Sequence, residues 1–187
     1  MATQIKIGLV VVLAGIVVVV ALAARSTVSA KNEFHFDAAQ LKDKKSWTQV
    51  NAEPYFIHSI VAIQCAAPPT AADLEWEKKE NPHIRTFITV YVNNLGRKAM
   101  FEKNPKFPEG SVIVKEKSDE TSHKPVLYTI MRKREAGYNP KVGDWEFSVV
   151  GANGTDLQAS GKLENCQTCH VGHVDTDFVF RDYLIWR

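Results

Sequence analysis

Beyond its first 30 residues the sequence has no excess charge of either sign. The whole chain of 187 residues carries 23 Lys and Arg against 21 Asp and Glu, and residues 1–30 hold Lys6 and Arg25 but no acid, so the remainder is formally neutral. A protein that grips nucleic acid ordinarily shows a basic excess or stripe to neutralise phosphates, so no nucleic-acid partner is expected. Internal repeats and low-complexity tracts are also missing from residues 31–187, which argues against a solenoid or a disordered linker. Cysteine is scarce, with only Cys65, Cys166 and Cys169. Three thiols cannot close a set of disulfides, so at least one must be reactive, ligating or buried.

What is present begins with Lys6 and an uncharged apolar run over residues 7–24, followed by Arg25-Ser26-Thr27-Val28-Ser29-Ala30. The run lies between a long signal-peptide core and a short membrane span, and Val28-Ser29-Ala30 offers small residues for cleavage before Lys31. Valine-rich runs are poor helix formers in water, which weighs against a buried core helix. Residues 1–30 therefore read as a signal peptide or an uncleaved amino-terminal membrane anchor. Residues 31–187, long enough for one domain with a real core, are expected in the periplasm or an equivalent non-cytosolic compartment.

Within that domain the sequence predicts a short surface helix over 36–45, capped by Asp37 and holding Leu41. A strand over 56–65 is rich in β-branched residues and stops at Pro68-Pro69. Alternation places Cys65 on one face with Ile57, Val61 and Ile63. The charged connection over 69–82 holds at most a helical turn around Leu74 and Trp76. Further strands follow over 85–92, 111–117, 126–134 and 145–150, with a short helix over 97–103. Short turns at Gly137-Tyr138-Asn139-Pro140 and Gly151-Ala152-Asn153-Gly154 favour antiparallel pairing. The fold class is α+β, a mainly antiparallel sheet of about five strands flanked by short helices.

The chemistry concentrates at Cys166-Gln167-Thr168-Cys169-His170. Two thiols three residues apart project from one side of a helical turn, where each can add to a vinyl group of haem, and the adjacent imidazole can bind the iron from below. This spacing predicts one covalent haem c. A redox disulfide, or a zinc site completed by His173, fits less well, because Cys169 and His170 are too close in sequence to share one tetrahedral ion and no thioredoxin-like strand–helix context surrounds the pair. Phe178, Phe180, Tyr183 and Trp186 follow the motif and either pack on the porphyrin or finish the core.

Several segments taken together resemble the cytochrome P460 and cytochrome c′-β family: Tyr91-Val92-Asn93, the run Phe107-Pro108-Glu109-Gly110-Ser111-Val112-Ile113-Val114-Lys115-Glu116, then Gly143-Asp144-Trp145-Glu146-Phe147, the cysteine–histidine motif, and Asp177-Phe178-Val179-Phe180. The resemblance spans roughly residues 47–184 and implies an antiparallel sheet, a single haem c and commonly a dimer, with itself or with a related haem c subunit. In P460 enzymes the matching lysine is cross-linked to the haem edge beside an open iron site that oxidises hydroxylamine or handles nitric oxide. Lys115 takes that position, and its plain alternative is an exposed strand lysine. The family's distal arginine is replaced by Ile88, with Arg85 three residues earlier.

Similarity to the small P460-fold cytochromes of anaerobic ammonium oxidisers implies His170 and Cys65 as the two iron ligands. The other reading of Cys65 is a small core cysteine. His35, His58, His83, His123, His173 and Met131 are weaker candidates for the sixth position. The resemblance thus implies electron transfer with a redox partner protein, or binding of nitric oxide or carbon monoxide. A hydroxylamine-oxidising or nitric-oxide-oxidising enzyme is the alternative.

Overall fold

The structure, a computed structural model, describes residues 34–43, 45–58, 70–80, 85–181 and 184, leaving aside the side chains of residues 73, 77, 78 and 80. Contacts divide the chain into Met1–Phe34 and His35–Arg187, and every element below belongs to the second unit. Among the described residues no helix is long and apolar enough to cross a membrane. The apolar run over 7–24 lies outside the described residues.

Seven strands form one antiparallel sheet: β1 (Trp47–Gln49), β2 (Tyr55–Ile57), β3 (Thr86–Asn93), β4 (Val112–Asp119), β5 (Pro125–Lys133), β6 (Trp145–Gly151) and β7 (Leu157–Gly161). The order is β1-β3-β4-β5-β6-β7, with β2 also paired to β3. From β4 to β7 it is a meander, because each connection is a turn set by its own side chains. The Asp119 carboxylate accepts from Thr121 N at 3.1 Å and Ser122 N at 2.7 Å, and the Asn153 side chain accepts from Thr155 N and Asp156 N at 3.0 Å. Such local bonds let the backbone reverse without orphaned donors.

Among the described residues the helices are α1 (Ala71–Glu80), α2 (Asn94–Phe101) and α3 (Glu164–His170), with a 3-10 helix of five residues at Ala38–Lys42 and single 3-10 turns at Pro140–Val142 and Val174–Thr176. Asn93 starts α2: its side-chain oxygen accepts from Gly96 N at 3.1 Å and also from Val112 N at 3.0 Å, tying the helix to β4. Gly96 permits the contact, since a Cβ there would meet Val92 Cγ2 at 2.9 Å.

Register decides which residues share a face. Val92, Ile113, Met131 and Phe147 are paired in one row across β3 to β6 and belong to the buried core, together with Met100, Phe107, Val142, Trp145 and Val179. Stepping two residues along keeps the face, so the next rows are Val90, Lys115, Thr129, Val149 and then Ile88, Lys117, Leu127, Gly151. The opposite face buries Val112, Val114, Tyr128, Ile130 and Val150, with Phe36 and Leu41 also buried near the 3-10 helix.

The α+β expectation holds, with seven strands among the described residues rather than about five. β1 and β2 have three residues each, and β7 (Leu-Gln-Ala-Ser-Gly) has no apolar alternation and stays largely exposed, so hydrophobic periodicity had nothing to register. The strand expected over 56–65 appears as Tyr55–Ile57, and residues 59–69 lie outside the described set. The connection over 69–82 contains the ten-residue helix α1, longer than a single turn, with Trp76 63% exposed. The helix expected over 97–103 begins earlier, at Asn94, because Asn93 supplies its cap.

Candidate functional site

α3 follows the sheet's last strand and carries Cys166, Cys169 and His170. Thr168 Oγ1 donates to Glu164 O at 2.9 Å, and the buried Gln167 side chain donates back to Lys162 O at 2.9 Å, which fixes the helix to the end of β7. Cys166 is half-buried against the apolar core, Cys169 is exposed and His170 is buried. Residues 166, 169 and 170 lie within about one helical turn of one another, with Cys166 a surface neighbour of Cys169 three residues on and of His170 four residues on. Burial pushes the Cys166 thiol up, and the Lys117 ammonium opposes the shift.

His170 is the best-held side chain of the group. Its Nδ1 is 2.7 Å from Phe178 O. A carbonyl can only accept, so Nδ1 carries the proton and Nε2 keeps its lone pair. Burial pushes the imidazole down to about 4, against the pull of the Phe178 carbonyl, and the Lys115 and His173 charges act in the same direction as burial. It is therefore neutral at pH 7. The ring sits 5.1 Å from Phe147 and 4.9 Å from Phe180, the latter edge-on at 88°. Phe180 in turn packs against His173, the ring centres 3.8 Å apart and the planes tilted by 49°.

Two lysines from β4 face the same side as Ile113. Lys115 is half-buried, with Nζ 5.1 Å from the centre of the Phe180 ring. It lies on the face that α3 covers and is not the exposed strand lysine that sequence left as the plain alternative. Lys117 has no exposed surface and is held down to about 8 by burial first and then by the Lys115 charge, while the Cys166 thiol acts in the opposite sense. Lys117 was missed as a site residue. Its signal was the alternation Ile113, Lys115, Lys117, which puts two cations on an apolar face, a pattern a solvated strand edge does not require.

Of the other candidates, Cys65 and His83 lie outside the described residues, as do Tyr183 and Trp186. Met131 is 6% exposed and sits in the core row between Ile113 and Phe147. His35, His58 and His123 are exposed. Ile88 is buried opposite Lys117, and Arg85, exposed at the start of β3, pairs with Glu120. Among the described residues no three of His, Cys, Asp and Glu converge as a metal-ion cluster, so a zinc site built with His173 finds no support there.

The donor set fits a covalently held haem: two thiols on one helical turn, and a neutral imidazole whose outer nitrogen is already committed to a carbonyl. Lys115, Phe147 and Phe180 surround the imidazole side.

No curated protein matches the chain. Residues 70–181, from the start of α1 through the core strands and the helix that presents His170, match the Cytochrome P460 family, and over that span the chain belongs to it.

Proposed function

We propose that the protein is an exported cytochrome with one covalent haem c, thioether-linked at Cys166 and Cys169, with His170 as proximal ligand and Cys65 as the sixth. Family membership supports the coarser part, a haem c cytochrome of nitrogen metabolism. The single observation that carries the site is the 2.7 Å bond from His170 Nδ1 to Phe178 O, which leaves the lone pair of a neutral imidazole on Nε2, on the same short helix as the paired cysteines. The iron would supply a one-electron couple and a seat for small gases such as nitric oxide or carbon monoxide. The chain's own contribution is to keep the imidazole uncharged by burial, to fix its plane between Phe147 and Phe180, and to set Lys115 against the same ring cluster. Electron transfer or nitric oxide binding is the role that follows. Its partners are a redox protein and a second haem c subunit, identical or related, in a dimer.

A second reading is favoured by Lys115. Its amine lies over the Phe180 ring that packs on His170, which suits a P460-type oxidoreductase acting on hydroxylamine or nitric oxide, with Lys115 cross-linked to the haem and the distal side vacant. Ile88 in place of the arginine weighs against it.

Optical and electron paramagnetic resonance spectra of the oxidised protein separate the two. Low-spin thiolate signals that Cys65→Ser converts to high spin support the first reading. A high-spin ferric centre with a strongly red-shifted Soret band and a lysine adduct on Lys115 in the digested peptide overturns it. In the first reading Cys166→Ala with Cys169→Ala removes the haem mass from the polypeptide, in the second the Lys115 bond can still retain it, and a colourless wild-type protein ends both.

A further inference from the structure

The carbonyl that receives the His170 proton belongs to an uncommon piece of backbone. Asp177 and Phe178 are consecutive residues in the left-handed region, with φ of 54° and 65°. A bulky aromatic residue there costs about 1–2 kcal/mol, so the surroundings must hold it. Trp145 Nε1 donates to Asp177 O at 2.8 Å. The Asp177 carboxylate accepts from Phe107 N at 2.9 Å and from Lys133 Nζ at 2.8 Å through the same oxygen, Oδ2. Phe178 N donates to His173 O at 2.7 Å. The Asp177 and Lys133 side chains are 6% and 13% exposed. Gly143 gives the turn its room, since a Cβ there would stand 2.6 Å from Phe178 Cδ2.

One buried carboxylate therefore joins β5, the loop before β4 and the turn after α3, and the next carbonyl along the chain meets His170 Nδ1. We propose that Asp177, with Lys133 as its counter-charge, is a positioning residue for the iron-binding imidazole. By fixing the direction of the Phe178 carbonyl it sets how strongly Nδ1–H is drawn away, and hence how much electron density His170 can give through Nε2. This rests on the reading of His170 as the proximal ligand. A stronger acceptor at Nδ1 makes the imidazole a more basic ligand and favours ferric over ferrous iron. Loosening the turn must then raise the one-electron reduction potential.

The test uses the haem-loaded, full-length protein. Asp177→Asn keeps the shape and tolerates positive φ, but loses the charge. Lys133→Met removes the other half of the pair and Lys133→Arg restores a cation. Glu146→Gln breaks the Arg134–Glu146 pair, a 3.0 Å contact that does not touch the turn, and serves as the control for stability alone. The ferrous-to-ferric ratio at fixed applied potential should rise about tenfold in Asp177→Asn and in Lys133→Met, equivalent to about 59 mV for one electron. The ferric paramagnetic resonance g values should shift with it. Lys133→Arg should return both toward wild type, and Glu146→Gln should leave both unmoved. Unchanged potential and g values in Asp177→Asn and Lys133→Met, each carrying a full complement of haem, overturn the proposal. Haem missing from the wild-type protein overturns the site reading on which it stands, and the haem content of each sample tells the two failures apart.

Discussion

The two faces of the sheet each bury a charged residue of β4, and they treat it in opposite ways. On the face near the 3-10 helix, Glu116 is half-buried and receives a hydrogen bond from Tyr128, with the Lys42 charge nearby. Burial still pushes the carboxyl up, with the Tyr128 bond and Lys42 opposing it. The arrangement is local and complete, with the Phe36 ring closing over Tyr128 at 5.4 Å. On the face under α3, Lys117 is more deeply buried, and burial and then the Lys115 charge push it down while the Cys166 thiol acts in the opposite sense. A buried lysine whose charged form is disfavoured by burial and by a second lysine is the kind of perturbed group that clusters at functional sites.

That contrast predicts unequal sensitivity. Phe147 belongs both to the core row and to the rings around His170. Phe147→Ala should cost about 3–5 kcal/mol in urea unfolding, as buried Phe truncations do, and should also alter the ferric spectrum, because it removes one wall of the imidazole's slot. A loss of stability with an unaltered haem spectrum would separate the core from the site and weaken the comparison.

Lys117 gives the next largest effect and the sharpest pH signature. Its folded value, about 8, lies below the ordinary 10.5. Below pH 8 the lysine is charged in both states and the fold bears the full cost of burying it. Between about 8 and 10.5 the unfolded chain holds the proton that the folded one has lost, so stability rises with pH. Lys117→Met removes this dependence. The variant should be more stable than wild type by up to about 3 kcal/mol at pH 7, and the gap should narrow as pH climbs to 9.5 and beyond. A gap constant with pH would show that Lys117 holds its proton equally in the folded and unfolded chain.

The short helix with its cysteine–histidine motif, the long strands and the family were legible because they are written locally: Cys166, Cys169 and His170 by spacing, Trp145, Phe147 and Val149 by alternation. The sheet's margins were not. β1 and β2 are too short for a period to show, and β7 lacks an apolar face, so its pairing with β6 comes from the turn at Asn153 and the ladder itself. The partner of His170 was equally hidden. Phe178 was visible as one aromatic among several, but nothing in its side chain announces that its backbone carbonyl, turned by two left-handed residues, is the atom that meets His170 Nδ1. For Lys115 and Lys117 the shared parity was plain, yet only tertiary packing says which side of β4 the helix covers.

The smallest effect tests the quiet face. Tyr128→Phe keeps the ring that meets Phe36 but deletes the hydroxyl that donates to Glu116, a phenol that burial, then the Glu116 charge, pushes up to about 12. The carboxylate would stay half-buried with one fewer donor, a loss of about 1–2 kcal/mol at pH 7 for a hydrogen bond to a charged acceptor. The sign with pH follows from Glu116, whose folded value lies above the ordinary 4.5. As pH falls through that value the carboxyl takes up a proton and no longer needs the phenol to support its charge, so the difference between variant and wild type should shrink in acid. Haem attachment and the ferric spectrum should stay as in wild type, because Tyr128 and Glu116 lie on the face of the sheet opposite Ile113, Lys115 and Lys117. If Tyr128→Phe did shift the spectrum, the two faces would be coupled through β4, and Glu116 and Lys117, neighbours in sequence, would have to be treated as one electrostatic unit.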